Sequence, residues 1–484
     1  MYEHGVLYFG TALGGAFALR EHDGSIIWRI SLPDPNSHAV EVSALIHGKY
    51  VFFCTGTQLH KLLKSDGTIV WSSSVLESYG YSGEVLGTPV LAKDKIICGV
   101  SGLDEEKFPF LFFRGRIVAF NEDSGSLIWV HYNTSDQTVP NPQFSRGSGS
   151  FSAAAVDLKR NMLFIGTDQA RTFNPPPSPQ SDSLLALNLS NGNLIWSYQF
   201  QANDAFTLFP PTPNPAIPGT YDHDVGQHPN LFRINGKDYV GVGCKNGHYA
   251  IFKRVQKTVT GIPLVDIILG PGGSQSGPLE GAAVVHKGVL YITANSAIVE
   301  GQLVSGDFIT SPFVPFPFPN PNIVAEHANV RIYALSIAKL LEAGNTNGTI
   351  PHQAVLWIEN NYGYCYGVIT YVNQVIFYTD AFTGVVHARS AKSGKLLWKR
   401  EVYKIDTSKS LTPAPFGIVP TAITGGVTVA DKRIFVPFTG FSGFFTNLDG
   451  GIATYKIDDI VKQCDKPEKE NQKKNESCPV SLCF

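Results

Sequence analysis

The chain has 484 residues, of which 43% are hydrophobic and only 16% are charged, and its formal net charge is −2. This balance lacks the basic excess that attracts nucleic acid, and no apolar run reaches the roughly 20 residues of a membrane-spanning helix. We expect neither a nucleic-acid partner nor a membrane span. Glycine (47), proline (31), phenylalanine (31) and tyrosine (19) are abundant, which favours many short strands joined by turns.

A seven-residue motif recurs along the chain. In order it reads HDGSIIW (22–28), SDGTIVW (65–71), DSGSLIW (123–129), SNGNLIW (190–196) and KSGKLLW (392–398). Glycine supplies the positive φ of a hairpin turn, and the alternating residues that end in tryptophan form the outgoing strand. A second strand pair precedes most copies, so each unit is predicted to be a four-stranded sheet.

The units can be counted from their tryptophans. Six units carry one each, and these are all the tryptophans of the chain: Trp28, Trp71, Trp129, Trp196, Trp357 and Trp398. The hairpins at 248–255 and 450–459 are interpreted as units that lack it. We therefore predict an all-β, eight-bladed β-propeller with four-stranded antiparallel blades over residues 1–459, followed by a polar, cysteine-containing tail over 460–484. The tryptophans are expected to fill the wedge between neighbouring blades.

Cysteines and glycosylation sequons indicate whether the protein is secreted. Cys54, Cys98, Cys244 and Cys365 lie in apolar runs and are predicted to be buried thiols, whereas Cys464, Cys478 and Cys483 lie in the tail, where disulfides are open to them. N-x-[ST] sequons occur at Asn133, Asn188, Asn347 and Asn475, and we expect Asn133 and Asn475 to be exposed. The N-terminus shows no signal-peptide pattern. The sequons favour an extracellular glycoprotein whose leader is not part of this sequence.

Three features point to partners. Proline-rich loops at 172–180, 209–219 and 311–322 are each either a lid packed on the propeller or a docking surface for another chain. The last unit is short of an outer strand, which leaves an open blade edge. The tail can close its own ring or add to a neighbour's edge, so self-assembly through the tail, the open edge or the loops is predicted.

Two longer stretches narrow the family. One is FSRGSGSFSAAAVDLKRNMLFIGTD (144–168) with SDSLLALNLSNGNLIWSYQ (181–199); the other is YDHDVGQHPNLF (221–232) with CKNGHYAIF (244–252) and LGPGGSQSGPLEGAAV (269–284). Together they resemble the PQQ-type propellers of the quinoprotein alcohol dehydrogenases, above all the polyvinyl-alcohol-dehydrogenase-like branch. The resemblance implies a propeller that holds pyrroloquinoline quinone (PQQ) and calcium and oxidises alcohols. CxxCH is absent, so no attached haem is expected.

The resemblance also implies roles for residues. Asp222 and Asp224 match the family's Asp-x-Asp motif, which carries the catalytic base, and Lys245 matches the lysine that bonds the quinone. Glu105 matches an acidic metal ligand, with Asp104 and Glu106 as alternatives for the same position and Arg114 as the arginine that follows. The residue types alone leave two alternatives open. Asp222 and Asp224, with His223 and His228, can be a loop that satisfies its own backbone, and Lys245 can be a solvated turn lysine.

Other positions depart from the family pattern. Asp168 and Gln169 stand where the family has a metal-binding Asn, although a carboxylate at Asp168 suits calcium. Phe112 stands near the place of a vicinal disulfide that stacks on the quinone, and as an aromatic it can replace that platform. Glu280 replaces the tryptophan on the other side of the sandwich, where its carboxylate would repel a polyanionic cofactor.

Two functions remain. The missing metal-binding Asn, vicinal disulfide and stacking tryptophan favour an extracellular quinoprotein-alcohol-dehydrogenase-like propeller with a degenerate cofactor site, reused for binding or extracellular assembly. The retained Asp222, Asp224 and Lys245 favour the alternative, an active PQQ- and calcium-dependent alcohol dehydrogenase.

Overall fold

The structure is a computed structural model of the 484-residue chain. It describes residues 1–11, 13–34, 40, 42–75, 83–102, 114–134, 147–170, 178–205, 223–255, 261–272, 278–299, 302–304, 328–381, 383–402, 404–406, 418–420, 423, 425–438 and 450–457. The fold is an eight-bladed β-propeller of antiparallel blades, as the repeat count predicts.

Two compact units divide the chain. The first comprises Met1–Ile268, Gly272–Leu279 and Asn345–Thr349, and the second comprises Leu269–Pro271, Glu280–Gly344 and Ile350–Phe484. The first unit contains five four-stranded blades. Their strands are β1 Tyr2–Glu3, β2 Val6–Gly10, β3 Gly15–Arg20, β4 Ile26–Ser31; β5 Leu45–His47, β6 Tyr50–Cys54, β7 Gln58–Leu63, β8 Ile69–Ser74; β9 Val90–Ala92, β10 Lys95–Val100, β11 Arg116–Asn121, β12 Leu127–Tyr132; β13 Ala155–Asp157, β14 Met162–Gly166, β15 Ser183–Asn188, β16 Leu194–Gln199; and β17 Asn230–Ile234, β18 Lys237–Gly243, β19 His248–Lys253, β20 Val265–Ile268.

The second unit contains blades six to eight. Their strands are β21 Val284–His286, β22 Val289–Val299, β23 Gln302–Val304, β24 Ala328–Ser336, β25 Val355–Tyr362; β26 Thr370–Val372, β27 Val375–Asp380, β28 Val385–Ser390, β29 Leu396–Glu401; and β32 Thr428–Ala430, β33 Arg433–Phe438, β34 Gly451–Lys456. A separate hairpin pairs β30 Lys404–Asp406 with β31 Ile418–Pro420, and short helices span Ile337–Ala343 (α1) and His352–Ala354 (3₁₀). No helix in the described part of the chain is long and apolar enough to cross a membrane.

The hydrophobic core lies between successive blades. Each of six buried clusters draws side chains from two consecutive sheets: blades one and two, two and three, three and four, four and five, six and seven, and seven and eight. The four predicted core thiols Cys54, Cys98, Cys244 and Cys365 are free and buried, so that prediction is confirmed. The tail cysteines lie outside the described residues.

The repeated tryptophan joins one blade to the next. The Trp129 indole on β12 donates to the Leu189 carbonyl of the fourth blade at 3.1 Å. Gly192, in the turn after Leu189, has a φ of +73°, and a methyl group there would lie 2.5 Å from a Trp129 ring carbon. The motif glycine thus supplies the turn and also makes room for the preceding blade's tryptophan. The same indole-to-carbonyl bond occurs at Trp28, Trp196 and Trp357.

The eighth blade differs from the others. Among the described residues it has three strands in the order β32-β33-β34, whereas every other blade has at least four. The short last unit predicted from the sequence is therefore present. The hairpin at 248–255 likewise forms the fifth blade without a tryptophan, with β20 as its fourth strand.

Candidate functional site

The candidate residues share one kind of position in the blades. They follow the second strand of a blade or precede its first strand, so the loops of blades three to five bring them together. Ser101 follows β10, Asp168 and Gln169 follow β14, Lys245 follows β18, and Asp224 precedes β17. These are the strand ends at which the chain is free to place polar side chains without breaking the sheet.

Asp224 and Lys245 form the centre of the site. The Lys245 ammonium donates to Asp224 Oδ2 at 2.7 Å, and both residues are buried, with 6% and 4% of their surfaces exposed respectively. The Gln169 backbone N–H donates to the other carboxylate oxygen of Asp224 at 3.1 Å, and the Lys245 N–H donates to the Asp224 carbonyl at 2.9 Å. Lys245 is therefore an ion-pair partner rather than a solvated turn lysine.

Asp168 lies buried beside this pair. Its carboxylate accepts a hydrogen bond from the Ser101 hydroxyl at 2.7 Å and another from the Gly149 backbone N–H. Burial, and then the charge of Asp224, raise the pKa of Asp168 to about 8, although these two hydrogen bonds and Lys245 act in the opposite direction. At neutral pH this carboxyl therefore holds its proton for much of the time.

Two further carboxylates belong to the same cluster. Neither carboxylate oxygen of Asp182 accepts a hydrogen bond from any described residue, and the side chain is fully buried. Burial raises the pKa of Asp182 well above its usual range, and the charges of Asp204, Asp224 and Asp168 add to the effect. Asp204 accepts the His223 backbone N–H at 3.2 Å, and its carboxylate lies 3.3 Å from His223 Nδ1.

Sequence reasoning missed Asp182 and Asp204. A signal existed for Asp182, because it stands directly before the apolar strand β15, where a charged residue is unusual. Asp204 carries no local signal, since it precedes a proline-rich loop like many surface aspartates. Only the fold brings it to His223, 19 residues further along the chain.

The described polar residues of 223–228 have separate partners. His223 lies against Asp204 and Asp224 binds Lys245, while His228 Nδ1 accepts the Ala153 backbone N–H at 2.7 Å. Burial lowers the pKa of His228, which keeps this ring neutral. No group of three or more His, Cys, Asp or Glu side chains among the described residues converges as a metal site.

Arg114 makes its contacts within its own blade. Its guanidinium donates to the Thr134 hydroxyl at 3.3 Å and to the Thr134 carbonyl at 3.1 Å, and it stacks 3.7 Å from the centre of the Tyr132 ring. These contacts occupy Arg114 within the third blade. It is a packed arginine that precedes β11 and contacts residues at the end of β12.

Several predicted site residues lie outside the described residues: Glu105, Phe112, Asp222 and Asn475, together with residues 172–177, 209–219 and 311–322 of the proline-rich loops and the tail 460–484. Glu280 is described, half-buried, and belongs to the second unit, whereas Asp224 and Lys245 belong to the first.

One predicted glycosylation site is wrong. Asn133 is fully buried, and its amide donates to the Ser148 carbonyl at 2.6 Å and to the Ser150 hydroxyl at 3.2 Å. A glycan needs that amide nitrogen in solvent, so the folded chain cannot carry one there. The sequence looked polar at HYNTSDQT, but position 133 continues β12 into the blade interface. Asn347 is exposed and Asn188 is half-buried.

Comparison with known proteins gives a consistent set of similarities. The family model PQQ_2, described as outer membrane protein assembly factor BamB, matches residues 5–208. A polyvinylalcohol dehydrogenase from Pseudomonas sp. is 24% identical over 263 residues, which cover 49% of this chain and 40% of that protein. A polyvinylalcohol dehydrogenase from Sphingopyxis sp. is 21% identical over 468 residues, which cover 90% of this chain and 65% of that protein. The chain thus spans less than two thirds of the length of these relatives.

Solved structures extend the likeness to the whole fold. A quinohemoprotein alcohol dehydrogenase, ADHIIG from Pseudomonas putida HK5, aligns with a TM-score of 0.65 at 17% identity and covers 98% of this chain and 75% of that one. BamB from Moraxella catarrhalis aligns with a TM-score of 0.52 at 14% identity and covers 93% and 94%. At these identities the likeness concerns the fold alone.

Proposed function

The chain belongs to the PQQ-type β-propeller family, and we propose that it is an extracellular, quinoprotein-alcohol-dehydrogenase-like propeller that has lost quinone catalysis and serves in binding or assembly. The observation that carries this proposal is the buried Asp224–Lys245 pair in the midst of further carboxylates.

Charge argues against a quinone at this place. PQQ is a polyanion, and Lys245 is the residue that the family resemblance assigns to it. Here the Lys245 ammonium is neutralised by Asp224 at 2.7 Å, and Asp168 and Asp182 are buried so deeply that their pKa values rise. A buried polyanion beside these groups lacks the positive charge that would offset its desolvation. The described residues therefore do not fit PQQ.

The tryptophans argue in the same direction. A planar quinone needs an aromatic face to stack on. The indoles of Trp28, Trp129, Trp196 and Trp357 are hydrogen-bonded into the next blade, and Trp398 packs edge-on against Tyr455 at 5.6 Å. Trp71 contacts Phe52 of its own blade and the turn glycine Gly125 of the next. All six serve the packing of the blades.

The possible calcium ligands separate the two candidate functions less clearly. Oxygen ligands such as Asp168 suit this ion, but the described residues form no convergent group of three acidic, histidine or cysteine side chains. Asp168 is instead satisfied by Ser101 and Gly149, and Asp224 by Lys245 and Gln169. These contacts give Asp168 and Asp224 partners within the protein, whereas neither carboxylate oxygen of Asp182 accepts a hydrogen bond from a described residue.

A specific observation favours the second candidate, an active PQQ- and calcium-dependent alcohol dehydrogenase. Lys245 and the Gln169 backbone contact Asp224, and Asp168 lies close enough for its pKa to respond to both charges of the pair. A working cofactor site of this kind would need these residues side by side. Curated relatives that include quinoprotein alcohol dehydrogenase PedH of Pseudomonas putida, 25% identical over 305 residues, support the same ancestry.

An extracellular location is part of the proposal. It is supported by the exposed sequon at Asn347, because N-glycosylation requires the secretory route. The buried thiols of the blades do not oppose it, since they pack as small apolar side chains.

Reconstitution tests the proposal. The purified chain is incubated with excess PQQ and calcium and assayed with primary alcohols and an artificial electron acceptor, beside a PQQ-dependent polyvinylalcohol dehydrogenase as positive control. We expect no alcohol-dependent reduction of the acceptor above the rate of heat-denatured protein. Turnover that requires both PQQ and an alcohol, and that disappears in Lys245→Ala, would establish the dehydrogenase instead.

A further inference from the structure

An open cleft lies between the sixth and seventh blades, within the second unit. It is found where β25 and β27 end and where β28 begins, and its volume is about 730 Å³. Small-molecule sites in proteins typically have volumes of roughly 300–1,000 Å³. The residues that line this cleft include Asn361, Tyr362, Asp380, Thr383, His387 and Lys399.

An exposed aromatic ring stands at the rim of the cleft. Tyr362 is the last residue of β25, and 69% of its surface is exposed. Every other phenylalanine, tyrosine and tryptophan in the described part of the chain is buried or half-buried. The informative feature of a protein surface is a large apolar group left in water. Here that group is a flat ring placed beside a polar cleft.

The inner side of the cleft is polar and, at His387, uncharged. The His387 ring is buried and stacks parallel to the Tyr378 ring, with 4.7 Å between the two centres. Burial, and then the charges of Arg389 and Lys399, lower the pKa of His387 to about 3, so the ring is neutral at physiological pH. The Asn361 amide N–H donates to His387 Nε2 at 3.2 Å. This bond leaves the carbonyl oxygen of Asn361 able to accept another.

Hydrogen-bonding groups of both kinds surround the cleft. The Thr383 hydroxyl donates to the Asp380 carboxylate, which also accepts the Tyr364 backbone N–H at 3.1 Å. The Thr383 oxygen therefore keeps lone pairs that can accept a hydrogen bond. Lys399 pairs with His387 in the ladder of the seventh blade, which places both side chains on one face. Its ammonium is exposed and forms no ion pair with a described residue.

The charges of the lining do not favour an anion. Lys399 is balanced by the carboxylates of Asp380 and Glu401, which also line the cleft. Arg400 lies against the Tyr455 hydroxyl of the eighth blade, so its guanidinium does not add to the charge of the cleft. A site for a phosphate or a carboxylate needs an excess of positive charge. The lining is better matched to a neutral, polar ligand.

We propose that the cleft between the sixth and seventh blades binds a saccharide, with a sugar ring against Tyr362 and its hydroxyls bonded to Lys399, Asn361 and Thr383. A pyranose ring presents C–H groups on its face and hydroxyls at its edge, and each hydroxyl both donates and accepts. One exposed aromatic face beside donors and acceptors matches both parts. The cleft belongs to the second unit and the Asp224–Lys245 pair to the first, so the inference holds whether or not quinone catalysis has been lost.

Saturation-transfer difference NMR on the full chain tests the inference. The probes are methyl α-D-glucoside, methyl α-D-mannoside, methyl β-D-galactoside and methyl N-acetyl-β-D-glucosaminide, each at about 5 mM, because a site for one sugar ring binds in the millimolar range. We expect transfer to the ring protons of at least one glycoside, lost in Tyr362→Ala and retained in Tyr362→Phe. Lys399→Ala should weaken the binding at least about fivefold.

Leu356→Ala is the matched control, since Leu356 is a 52% exposed side chain of the same strand that does not line the cleft. It should leave the transfer unchanged. The exposure of Tyr362 means that its removal should hardly change the melting temperature. If Tyr362→Ala unfolds early, Lys399→Ala serves as the test variant.

Three results would overturn the inference. The first is the absence of transfer to all four glycosides at about 20 mM. The second is transfer that persists unchanged in Tyr362→Ala and in Lys399→Ala, which would place the sugar elsewhere on the chain. The third is calorimetric binding of inorganic phosphate that disappears in Lys399→Ala while no glycoside binds, because the cleft would then be an anion site.

Discussion

At the scale of single residues, the Asp224–Lys245 pair decides how the site is interpreted. Taking two charges out of water is costly, and their attraction offsets that cost only when the geometry is close and other hydrogen bonds help. Both conditions hold here, with 2.7 Å between the charged atoms and a further N–H from Gln169. A lysine held in this way is a structural element of blades four and five, and an additional anion would have to compete with Asp224 for it.

Asp168 gives a pH-dependent prediction. Because its pKa is raised from 3.8 to about 8 in the folded protein, the folded state binds an extra proton between these values. The free energy of unfolding should therefore fall as the pH rises through this window. Asp168→Asn removes this titration. The melting temperature of the variant minus that of the parent chain should therefore increase steadily from pH 5 to pH 8.

Differential scanning calorimetry at several pH values measures this effect, with the change at pH 8 expected to be a few degrees. Asp123→Asn is the control, since it replaces an aspartate whose side chain is 95% exposed, outside the buried carboxylate cluster. Parallel curves for Asp168→Asn and the parent chain would show that Asp168 is already ionised at neutral pH.

The sequence singled out Asp224 and Lys245 by their likeness to family motifs, and Asp168 and Gln169 by their departure from one. The fold brings these residues close together, while their roles remain a prediction. Arg114 was not identifiable as a packed arginine, because its partners Thr134 and Tyr132 lie on the other side of the β11–β12 hairpin, and the motif alone does not specify which side chains meet there.

At the scale of the blade, the glycine and the tryptophan of the motif act as one unit. Gly192→Ala should destabilise the chain in two ways, through a positive φ that alanine tolerates poorly and through contact with the Trp129 ring at 2.5 Å. We expect a loss of about 2–4 kcal/mol in the free energy of unfolding.

Gly24→Ala is the matched control for this prediction. Gly24 occupies the same turn in the first blade, with a φ of +71°, but no atom lies within 4 Å of an added methyl group. Gly24→Ala should lower the free energy of unfolding only through the strained backbone conformation, by about 1 kcal/mol. If a denaturant titration shows the same decrease in the free energy of unfolding for both variants, the Trp129 ring moves aside without cost and the contact between the blades is not specific.

Glycosylation distinguishes buried from exposed sequons. In a host that glycosylates secreted proteins, Asn347 should carry a glycan, because its side chain is exposed at a turn, and Asn133 should not, because its amide is buried and bonded to Ser148. Peptide mass mapping before and after enzymatic removal of glycans reads both sites. A modified Asn133 in folded protein would contradict the packing of the third blade.

Strands were more predictable than loops. The period of two and the turn glycines place β3–β4, β11–β12 and β28–β29 without reference to the rest of the chain. Asn133 shows the limit of such reasoning: a polar run after a strand reads as an exposed loop, whereas the ladder of β12 carries position 133 into the interface between blades. Which polar residues become buried depends on the neighbouring sheet, and local pattern does not contain that information.

At the scale of the whole molecule, repetition made the blade count predictable while the function is less so. Eight sheets follow from the spacing of six tryptophans and two degenerate units, since each blade buries its face only against the next. The fold is shared by alcohol dehydrogenases and by BamB alike, so architecture does not assign catalysis. The distinction depends on the charges around Lys245 and on the tryptophans, all of which are committed to packing.

The most direct test of that distinction is a calorimetric titration of metal-stripped full-length protein with PQQ in the presence of calcium. The proposed loss of the quinone site predicts no saturable binding up to about 50 µM PQQ. Saturable binding with a dissociation constant near 1 µM or tighter, abolished in Lys245→Ala, would contradict it and would mean that PQQ displaces Asp224 from Lys245.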